Sequence, residues 1–503
     1  MTVRDVLRSV AVLVPAEARL ALDAPGLDVP CTGVVYDSRS VRPGAIFVAL
    51  QGLRTDGAAF APQALAAGAA VVVAGLGVAP VAGAAWLPVG DPRLALALLA
   101  AEFHGNPSRS MRVVGVTGTN GKTTTAYLVR AILEAAGIKC GLMGTVAYCI
   151  GDREVEASRT TPEAPDVQGF LREMLDEACG ACVMEVSSHA LALRRVDGMQ
   201  FAAGVFTNLT RDHLDFHGSM ESYFVAKRRL FEMLPSTAPA VVNLDDPRGA
   251  ALVEAGGSPV TYAIGKAADV TPGPLSYSLQ GLEFDVRTPQ GGVHVKSSLV
   301  GKPNVYNILA AVGVTAAMGI PLDAIEKGLA RLKGVPGRFE VVSRPKDDIT
   351  VVVDYAHTDD ALRNLLETAR PIATRRLITV FGAGGDRDRT KRPLMGMVAA
   401  RLSDVVFITS DNPRGEDPAQ IIEEVMRGAE PEARQRNAKA VTVIDRGEAI
   451  RRAVAEAATG DVILIAGKGH EKYQVIGGTT FPFDDVAVAR DALGTRRQTS
   501  GVG

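Results

Sequence analysis

A glycine-rich segment at residues 115–125 has the residue types that hold a nucleotide triphosphate. It reads Gly-Val-Thr-Gly-Thr-Asn-Gly-Lys-Thr-Thr-Thr. In such a turn, backbone N–H groups surround the phosphates, Lys122 supplies a cation and the following threonines offer a hydroxyl to Mg²⁺. The spacing departs from the strict phosphate-loop pattern, since Gly115 stands one residue early and Val116 occupies the expected glycine position. A turn followed directly by Lys-Thr-Thr nevertheless predicts ATP binding.

Further polar residues follow other predicted strands in the same part of the chain. Glu185 comes after the apolar run 181–184, and a carboxylate at a strand end near a phosphate loop is a natural magnesium ligand. Residues 208–218 contain two His, two Asp and one Arg. Alone, they fit a solvated loop as well as a site. Lys227, on a helix predicted at 222–233, has by pattern the character of an ordinary surface lysine.

Three charged loops each follow a predicted strand in the last third of the chain. These loops are residues 382–389, 410–414 and 467–471. Carboxyl ends of parallel strands meet at one edge of a sheet, so the loops are expected to form one rim. Arg389 and Arg414 can take a carboxylate, while Asp411 and Glu471 can take an ammonium. Each charge alone is typical of a surface, but together they favour a site for a zwitterion such as an amino acid.

The elements that position these residues predict an α/β fold of three domains. Apolar strands alternate with helical patterns, which is typical of parallel sheets with crossover helices. A chain of 503 residues is too long for one core. We predict a central parallel sheet of the phosphate-loop ATPase type and a C-terminal Rossmann-like sheet. The predicted domains are residues 1–107, 108–336 and 337–503.

Composition limits the partners. The net charge of −2 argues against a nucleic acid held by bulk electrostatics. Apolar runs fall short of the ~20 residues of a membrane helix. Five cysteines, an odd number, do not make a disulfide framework. The N-terminus does not resemble a signal peptide. We expect a cytoplasmic monomer without a membrane or nucleic-acid partner.

Several motifs together resemble the Mur ligases, the ATP-dependent amide-forming enzymes of peptidoglycan synthesis. The motifs lie at residues 118–124, 185–189, 208–218, 337–340 and 354–357. Others resemble the members that add the third amino acid, and these lie at residues 37–39, 160–162, 384–389 and 411–414. The last, Asp-Asn-Pro-Arg, is similar to the version in enzymes that add meso-diaminopimelate rather than L-lysine.

The resemblance implies a reaction. It predicts that ATP and Mg²⁺ are used to join meso-diaminopimelate to the D-Glu γ-carboxylate of UDP-MurNAc-L-Ala-D-Glu through an acyl phosphate. L-lysine is the nearest alternative substrate, although it lacks the second carboxylate that Arg414 would bind. Another Mur ligase or a folylpolyglutamate-type ligase is a further alternative. An ATP-binding switch that makes no amide is an alternative of a different class.

The resemblance also implies residue roles, which we carry over by position in this sequence. The expected catalytic residues are Lys122, Lys227, His213 and Glu185. The expected ATP-binding residues are Gly118, Thr119, Asn120, Gly121, Lys122, Thr123, Thr124, Asn304, Asn307, Arg338, Asp354 and His357. The expected residues for the UDP-sugar peptide are Ser38, Thr160, Thr161, Ser187 and Arg195. The expected diaminopimelate residues are Arg389, Asp411, Asn412, Arg414, Gly467 and Glu471.

Metal binding and modification are implied in the same way. The expected magnesium ligands are Thr123, Glu185, His213 and Lys227, the last as a carbamate (N6-carboxylysine). Three positions depart from the family pattern. Asp359 stands where Pro is usual, Ala383 where Cys is common, and Leu193 where some relatives have a polar residue near the UDP-sugar.

Overall fold

The structure is a computed structural model that describes residues 1–52, 55–278 and 280–500. It confirms the α/β class, because helices cover sheets whose neighbouring strands are mostly parallel. Within these ranges, no helix combines the length and the apolar character needed to cross a bilayer.

The N-terminal sheet has four parallel strands in chain order. They are Val34–Val35, Ile46–Val48, Val71–Gly75 and Trp86–Val89. The α-helices of this part are Val3–Leu7, Ala61–Ala66 and Pro92–Phe103. Asp91 begins the last of them by accepting hydrogen bonds from the Arg93 and Leu94 amides. Its Leu96 and Leu99 are buried in the core below the strands.

The central sheet has eight strands, and the phosphate loop leaves it near the middle. Across the sheet the strands are Ser258–Tyr262, Pro239–Asn243, Ala203–Phe206, Arg112–Thr117, Ala181–Glu185, Cys140–Met143, Ala147–Ile150 and Arg153–Glu156. The first six are parallel and the last two are antiparallel. A parallel crossover needs a dozen or more residues, whereas only Gly151 and Asp152 join the last two strands. The predicted central parallel sheet is therefore confirmed, and an antiparallel hairpin extends it at this edge.

Helices pack on both faces of the central sheet. They are Lys122–Ala135, Ala164–Asp176, Ser188–Ala192, Leu214–His217, Met220–Glu232, Ala250–Val253, Lys302–Ala317 and Leu322–Arg331. A separate antiparallel sheet contains Thr271–Pro272, Ser276–Ser278, Gly281–Thr288 and Gly291–Ser297. The helix Lys302–Ala317 is apolar on almost every side because it packs among the central sheet, this small sheet and other helices.

The C-terminal sheet has six strands. Across the sheet they are Glu340–Val341, Thr350–Asp354, Val462–Ala466, Leu377–Phe381, Val405–Ile408 and Lys439–Thr442. All neighbours are parallel except the first pair. The helices are Asp359–Ala369, Lys391–Leu402, Pro418–Arg436, Arg446–Glu456 and Asp485–Ser500, and a hairpin joins Tyr473–Ile476 to Thr479–Pro482. Three adjacent strands carry the charged loops, so the predicted rim lies at one sheet edge.

Candidate active site

The phosphate loop joins the buried strand Arg112–Thr117 to the helix Lys122–Ala135. Gly118 (φ 148°) and Gly121 (φ 87°) have left-handed backbone conformations. A Cβ atom at Gly118 would collide with the Thr207 hydroxyl, and one at Gly121 with the Asn307 side chain. Both positions therefore require glycine, and the loop can wrap closely around an anion at a helix N-terminus.

Lys122 folds back over its own loop. Its Nζ donates to the carbonyl oxygens of Gly118 (3.0 Å) and Thr119 (2.7 Å). Burial lowers the pKa of Lys122, and the charges of Glu185 and Asp212 oppose that shift. Because both present partners are neutral carbonyls, a phosphate would offer this ammonium a stronger, charge-assisted bond.

Lys227 is fully buried, so the surface position inferred from its pattern was wrong. Its Nζ donates to the Gly118 carbonyl (2.7 Å) and lies 4.4 Å from the centre of the Tyr223 ring. Burial, and next the charge of Lys122, hold the pKa of Lys227 well below its ordinary value. A signal was present in the sequence, since Lys227 follows Tyr223 by four positions and precedes Leu230 by three on the buried helix face.

Asn304 and Asn307 also lie at the phosphate loop. Asn307 donates from Nδ2 to Asn304 Oδ1 (3.0 Å) and accepts from the Thr125 hydroxyl (3.4 Å). Both are in the first turns of the helix Lys302–Ala317. Thr124, predicted to bind ATP, is buried in the first turn of the helix that follows the loop.

Glu185 ends a fully buried strand, and its carboxylate is held by one residue. Thr145 donates to it from its backbone N (2.8 Å) and its hydroxyl (3.0 Å). The Thr145 hydroxyl also bonds that of Thr160 (3.1 Å). Glu185 therefore lies beside predicted residues for the UDP-sugar peptide. Thr145 was not identified from the sequence.

Three more of those predicted residues form one cluster. The Thr161 hydroxyl donates to Ser187 Oγ (3.2 Å), and Arg195 Nη1 donates to the Thr161 carbonyl (3.0 Å). Arg195 also pairs with Glu163 (2.8 Å). Ser38 lies in the N-terminal domain, where it donates to Gln63 (3.0 Å). Asp91 of the N-terminal domain pairs with Arg194 (2.8 Å), the residue before Arg195, so the two domains meet near this cluster.

Residues of the C-terminal domain reach the phosphate loop. Arg338 donates to the Thr123 hydroxyl (3.0 Å) and lies 4.4 Å above the Tyr355 ring. Asp354 accepts from the backbone N of Phe339 (2.7 Å) and of Ala356 (2.8 Å), which fixes the turn that carries Arg338.

His357 and His213 both lie close to the Asp212 carboxylate. The separation from the Asp212 carboxylate is 3.9 Å for His357 Nε2 and 3.4 Å for His213 Nε2. Burial lowers the pKa of His357 to about 4 and lowers that of His213. The rings of His213 and His189 are 4.8 Å apart. Neutral rings in this position can accept a proton or a hydrogen bond.

The donor set near the loop fits magnesium in part. Thr123 and Glu185 provide oxygen atoms, and Mg²⁺ is usually bound by one or two protein oxygens together with water and substrate phosphates. Among residues 1–52, 55–278 and 280–500, no group of three or more His, Cys, Asp or Glu side chains is arranged to hold a metal alone. The imidazole of His213 is a softer ligand than this ion prefers.

The rim of the C-terminal sheet brings most of the predicted diaminopimelate residues together. Asn412 Nδ2 donates to Glu471 Oε2 (2.9 Å). Gly467 has φ 117°, and a Cβ atom there would press against Asp411. Arg414 donates from Nη1 to the Gly385 carbonyl (2.7 Å). Burial raises the pKa of Glu471. Two carboxylates and a guanidinium thus lie on neighbouring loops of the rim.

Arg389 lies at the outer edge of the rim. It is exposed and pairs with Glu424, and it lies 3.8 Å from Glu416. Lys468, which was not among the predicted site residues, is fully buried between Asn412 and Glu471. A lysine flanked by two glycines gives no periodic signal, so only the tertiary structure reveals its burial.

The departures from the family pattern are accommodated locally. Asp359 begins the helix Asp359–Ala369 after the cap Thr358, and an acid in the first turn is favourable to the helix dipole. Ala383 is buried and small. Leu193 ends the helix Ser188–Ala192 and is partly exposed.

Three α/β domains, with a phosphate loop in the central one and a charged rim on the last, define a class of nucleotide-dependent ligases. Family models match residues 30–104 (Mur ligase family, catalytic domain), 116–315 (Mur ligase middle domain) and 337–469 (Mur ligase, glutamate ligase domain). The chain belongs to the Mur ligase family.

Similar proteins extend over nearly the whole chain. UDP-N-acetylmuramoyl-L-alanyl-D-glutamate–2,6-diaminopimelate ligases from Solibacter usitatus and Gloeobacter violaceus are 46% and 47% identical to it. These alignments cover 98% of both chains in the first case, and 95% of this chain and 97% of the relative in the second. A solved structure of a ligase with the same name is 36% identical, with a TM-score of 0.67 over 94% of this chain and 97% of that one. A MurF ligase from Thermotoga maritima in complex with ADP shares the fold at 22% identity, with a TM-score of 0.62 over 92% of this chain and 98% of that one.

Proposed function

We propose that this chain is an ATP-dependent ligase that joins meso-diaminopimelate to the D-Glu γ-carboxylate of UDP-MurNAc-L-Ala-D-Glu in peptidoglycan synthesis. The observation that carries the choice of amino acid is the mixed charge at the rim, where Arg414 bonds the Gly385 carbonyl and Arg414, Asp411 and Glu471 all act on the phenol of Tyr473. A zwitterionic end group satisfies both signs of charge. L-lysine would leave the Arg414 guanidinium without a carboxylate partner.

The first chemical step activates the acid. The γ-carboxylate attacks the γ-phosphorus of ATP, an acyl phosphate forms and ADP leaves. Lys122, Arg338 and the loop amides surround the phosphates and stabilise the charge that develops on their oxygens. Asn304 and Asn307 bind the adenine. Thr123 and Glu185, with His213 and carbamylated Lys227 as further ligands, would hold Mg²⁺, which would supply positive charge to the phosphates.

The second step forms the amide. A neutral amine of diaminopimelate attacks the acyl phosphate, a C–N bond forms, phosphate leaves and the amine gives up a proton. Asp411, Asn412, Arg414, Gly467 and Glu471, with Arg389 at the outer edge, orient the far end of the amino acid. Thr160, Thr161, Ser187 and Arg195 hold the peptide of the UDP-linked substrate, and Ser38 contacts its UDP-sugar part.

We assign these tasks to three units, residues 1–107, 108–336 and 337–503. The site uses residues of one chain only, which supports a monomer. Consumption of ATP and a UDP-linked substrate places the reaction in the cytoplasm.

Phosphate release tests this function. With ATP, Mg²⁺ and UDP-MurNAc-L-Ala-D-Glu, we expect strong release with meso-diaminopimelate and about 100-fold lower kcat/KM with L-lysine, since a charged group left unpaired costs about 3 kcal/mol. Arg414→Met loses the diaminopimelate reaction, whereas Arg427→Met, a change at an exposed arginine, does not. Preference for L-lysine would overturn the specificity. ATP turnover without either amino acid would support the switch alternative.

A further inference from the structure

Lys468 is a buried charge to which the reaction scheme above gives no role. Its side chain is fully buried, and its Nζ donates to Asn412 Oδ1 (3.1 Å) and Glu471 Oε2 (3.3 Å). It also lies 3.9 Å from Asp411 Oδ1. A buried ammonium is costly unless it is paired, so its position between two carboxylates of the rim requires an explanation.

The charged side chains of the C-terminal domain around Lys468 sum to zero. Asp411 and Glu471 are negative, whereas Lys468 and Arg414 are positive. The phenol of Tyr473 feels the charges of Glu471, Arg414 and Asp411, and its ring centre lies 5.6 Å from Lys468 Nζ. Glu156 of the central sheet acts on the phenol least, and it is exposed, so water screens its charge. Arg446 and Asp485 form a fully buried pair beneath the rim (2.7 Å). That pair is neutral as a unit and leaves the sum unchanged.

The two candidate amino acids differ in the charge that they bring here. The far end of meso-diaminopimelate has one ammonium and one carboxylate and is neutral overall. The far end of L-lysine has only an ammonium and carries one positive charge. A neutral set of fixed charges suits the first, and a set with one net negative charge suits the second.

We propose that Lys468 is a specificity-determining residue, which cancels one rim carboxylate so that the pocket accepts a zwitterionic end group and disfavours a purely cationic one. The inference rests on the proposed function. Lys468 also positions the pocket, because its bonds hold the side chains of Asn412 and Glu471, and Asn412 Oδ1 in turn accepts from the Val475 backbone (3.0 Å).

The test compares full-length wild type, Lys468→Met and Lys472→Met. Lys472 lies four positions from Lys468 and is exposed. Its replacement by Met removes the same charge outside the pocket, so it is the matched control. The measurements are kcat and KM for meso-diaminopimelate and for L-lysine. If L-lysine is turned over too slowly to give kcat and KM, its inhibition constant is measured instead, with diaminopimelate as the substrate. KM for ATP and for the UDP-linked substrate, and thermal unfolding, report on the rest of the molecule.

In Lys468→Met we expect KM for diaminopimelate to rise about 10- to 100-fold, while L-lysine is affected much less. The preference for lysine over diaminopimelate then rises at least about 10-fold, and Lys472→Met stays near wild type. Equal losses for both amino acids, or an unchanged preference, would overturn the proposal. If the Met variant does not fold, Lys468→Gln removes the charge and keeps a donor.

A double variant tests the charge balance directly. Lys468→Met with Glu471→Gln restores a neutral pocket, so its preference returns toward that of wild type. A preference that stays at the value of the single variant would contradict the balance. Failure of the proposed function would give a different result, because wild type itself would then release no phosphate with diaminopimelate.

Discussion

Lys227 illustrates, at the scale of one residue, how burial changes the chemistry of a side chain. Its ammonium is removed from water and lies near a second cation, Lys122, so the pKa falls well below the ordinary value for lysine. A neutral amine can attack carbon dioxide, form a C–N bond and release a proton to give a carbamate. The buried helix face thus turns a base into a candidate acidic ligand.

Replacement of Lys227 tests this chemistry. We expect Lys227→Ala to lower kcat by about 100-fold or more, because a charged ligand at the phosphates is lost. Acetate or formate at high concentration should restore activity several-fold by supplying a carboxylate. Arg228→Ala is the control, since this neighbour is exposed and pairs with the surface residue Glu232 (2.9 Å). Phosphate release gives the measurement, and no rescue by either acid would argue against a carbamate.

Residue types predict chemistry only when neighbours in sequence are also neighbours in space. The phosphate loop satisfies that condition, since Gly118, Gly121 and Lys122 act through local backbone geometry. Lys468 does not satisfy it, because its partners Asn412 and Glu471 include a residue 56 positions away. Its burial therefore could not be predicted from the sequence.

At the scale of elements, one arginine joins two loops of the rim. Arg392, in the helix Lys391–Leu402, is fully buried and bonds Glu416 (2.8 and 2.9 Å), Glu424 (2.8 Å) and the Gly384 carbonyl (3.1 Å). Glu416 follows Arg414 closely, and Gly384 lies in the neighbouring loop. This cluster therefore fixes the separation of the loops on which Arg414 depends.

Acid stability should depend on this cluster. Hydrogen bonds from Arg392 lower the pKa of Glu416 from 4.5 to about 2. A depressed folded-state pKa gives stability that is complete above about pH 4.5 and is lost as pH falls toward 2. We expect Arg392→Met to destabilise the C-terminal domain by about 3 kcal/mol near pH 7, because it removes the buried guanidinium that holds two partly buried carboxylates and leaves them only the exposed Arg389. It should also flatten the decline between pH 4.5 and 2.

Calorimetry between pH 2 and 7 measures the stability of the C-terminal domain, because it can resolve the unfolding transitions of separate domains. Arg427→Met removes an exposed pair with Glu423 and should change stability by less than about 1 kcal/mol. An equally steep acid decline in wild type and Arg392→Met would show that Glu416 does not depend on Arg392.

The sequence predicted elements unevenly. Leu377–Phe381 and Val405–Ile408 were predicted because every residue except Thr379 is apolar, as is typical of buried parallel strands. The small antiparallel sheet was not predicted, although Gly281–Thr288 alternates buried and exposed residues along most of its length. That alternation was a usable signal. The edge hairpin at residues 147–156 was missed because its burial depends on how it pairs with the rest of the sheet.

At the scale of the whole molecule, the proposed reaction needs the central and C-terminal domains to meet. Several polar contacts join them at or beside the phosphate loop, and three are as follows. Arg338 bonds Thr123 (3.0 Å), Asn120 bonds Asp360 (3.1 Å) and Arg211 lies 3.6 Å from Asp388. Each pair joins a residue at or near the phosphate loop to one at or near the end of a C-terminal strand. We therefore expect nucleotide binding at the loop to be coupled to closure of the two domains.

Asp360→Ala should weaken closure. The Asp360 carboxylate is partly buried and accepts from Asn120, so its removal costs about 1.5 kcal/mol of the closed state and raises KM for ATP about 10-fold. Small-angle scattering should give a larger radius of gyration for the free variant than for free wild type, and saturating ATP analogue should bring the two together. Glu367→Ala, an exposed acid on the same helix, should leave both readouts unchanged. If wild type scatters identically with and without nucleotide and Asp360→Ala matches it in both states, the domains do not close over ATP, and the contacts at the loop serve only to hold one fixed arrangement.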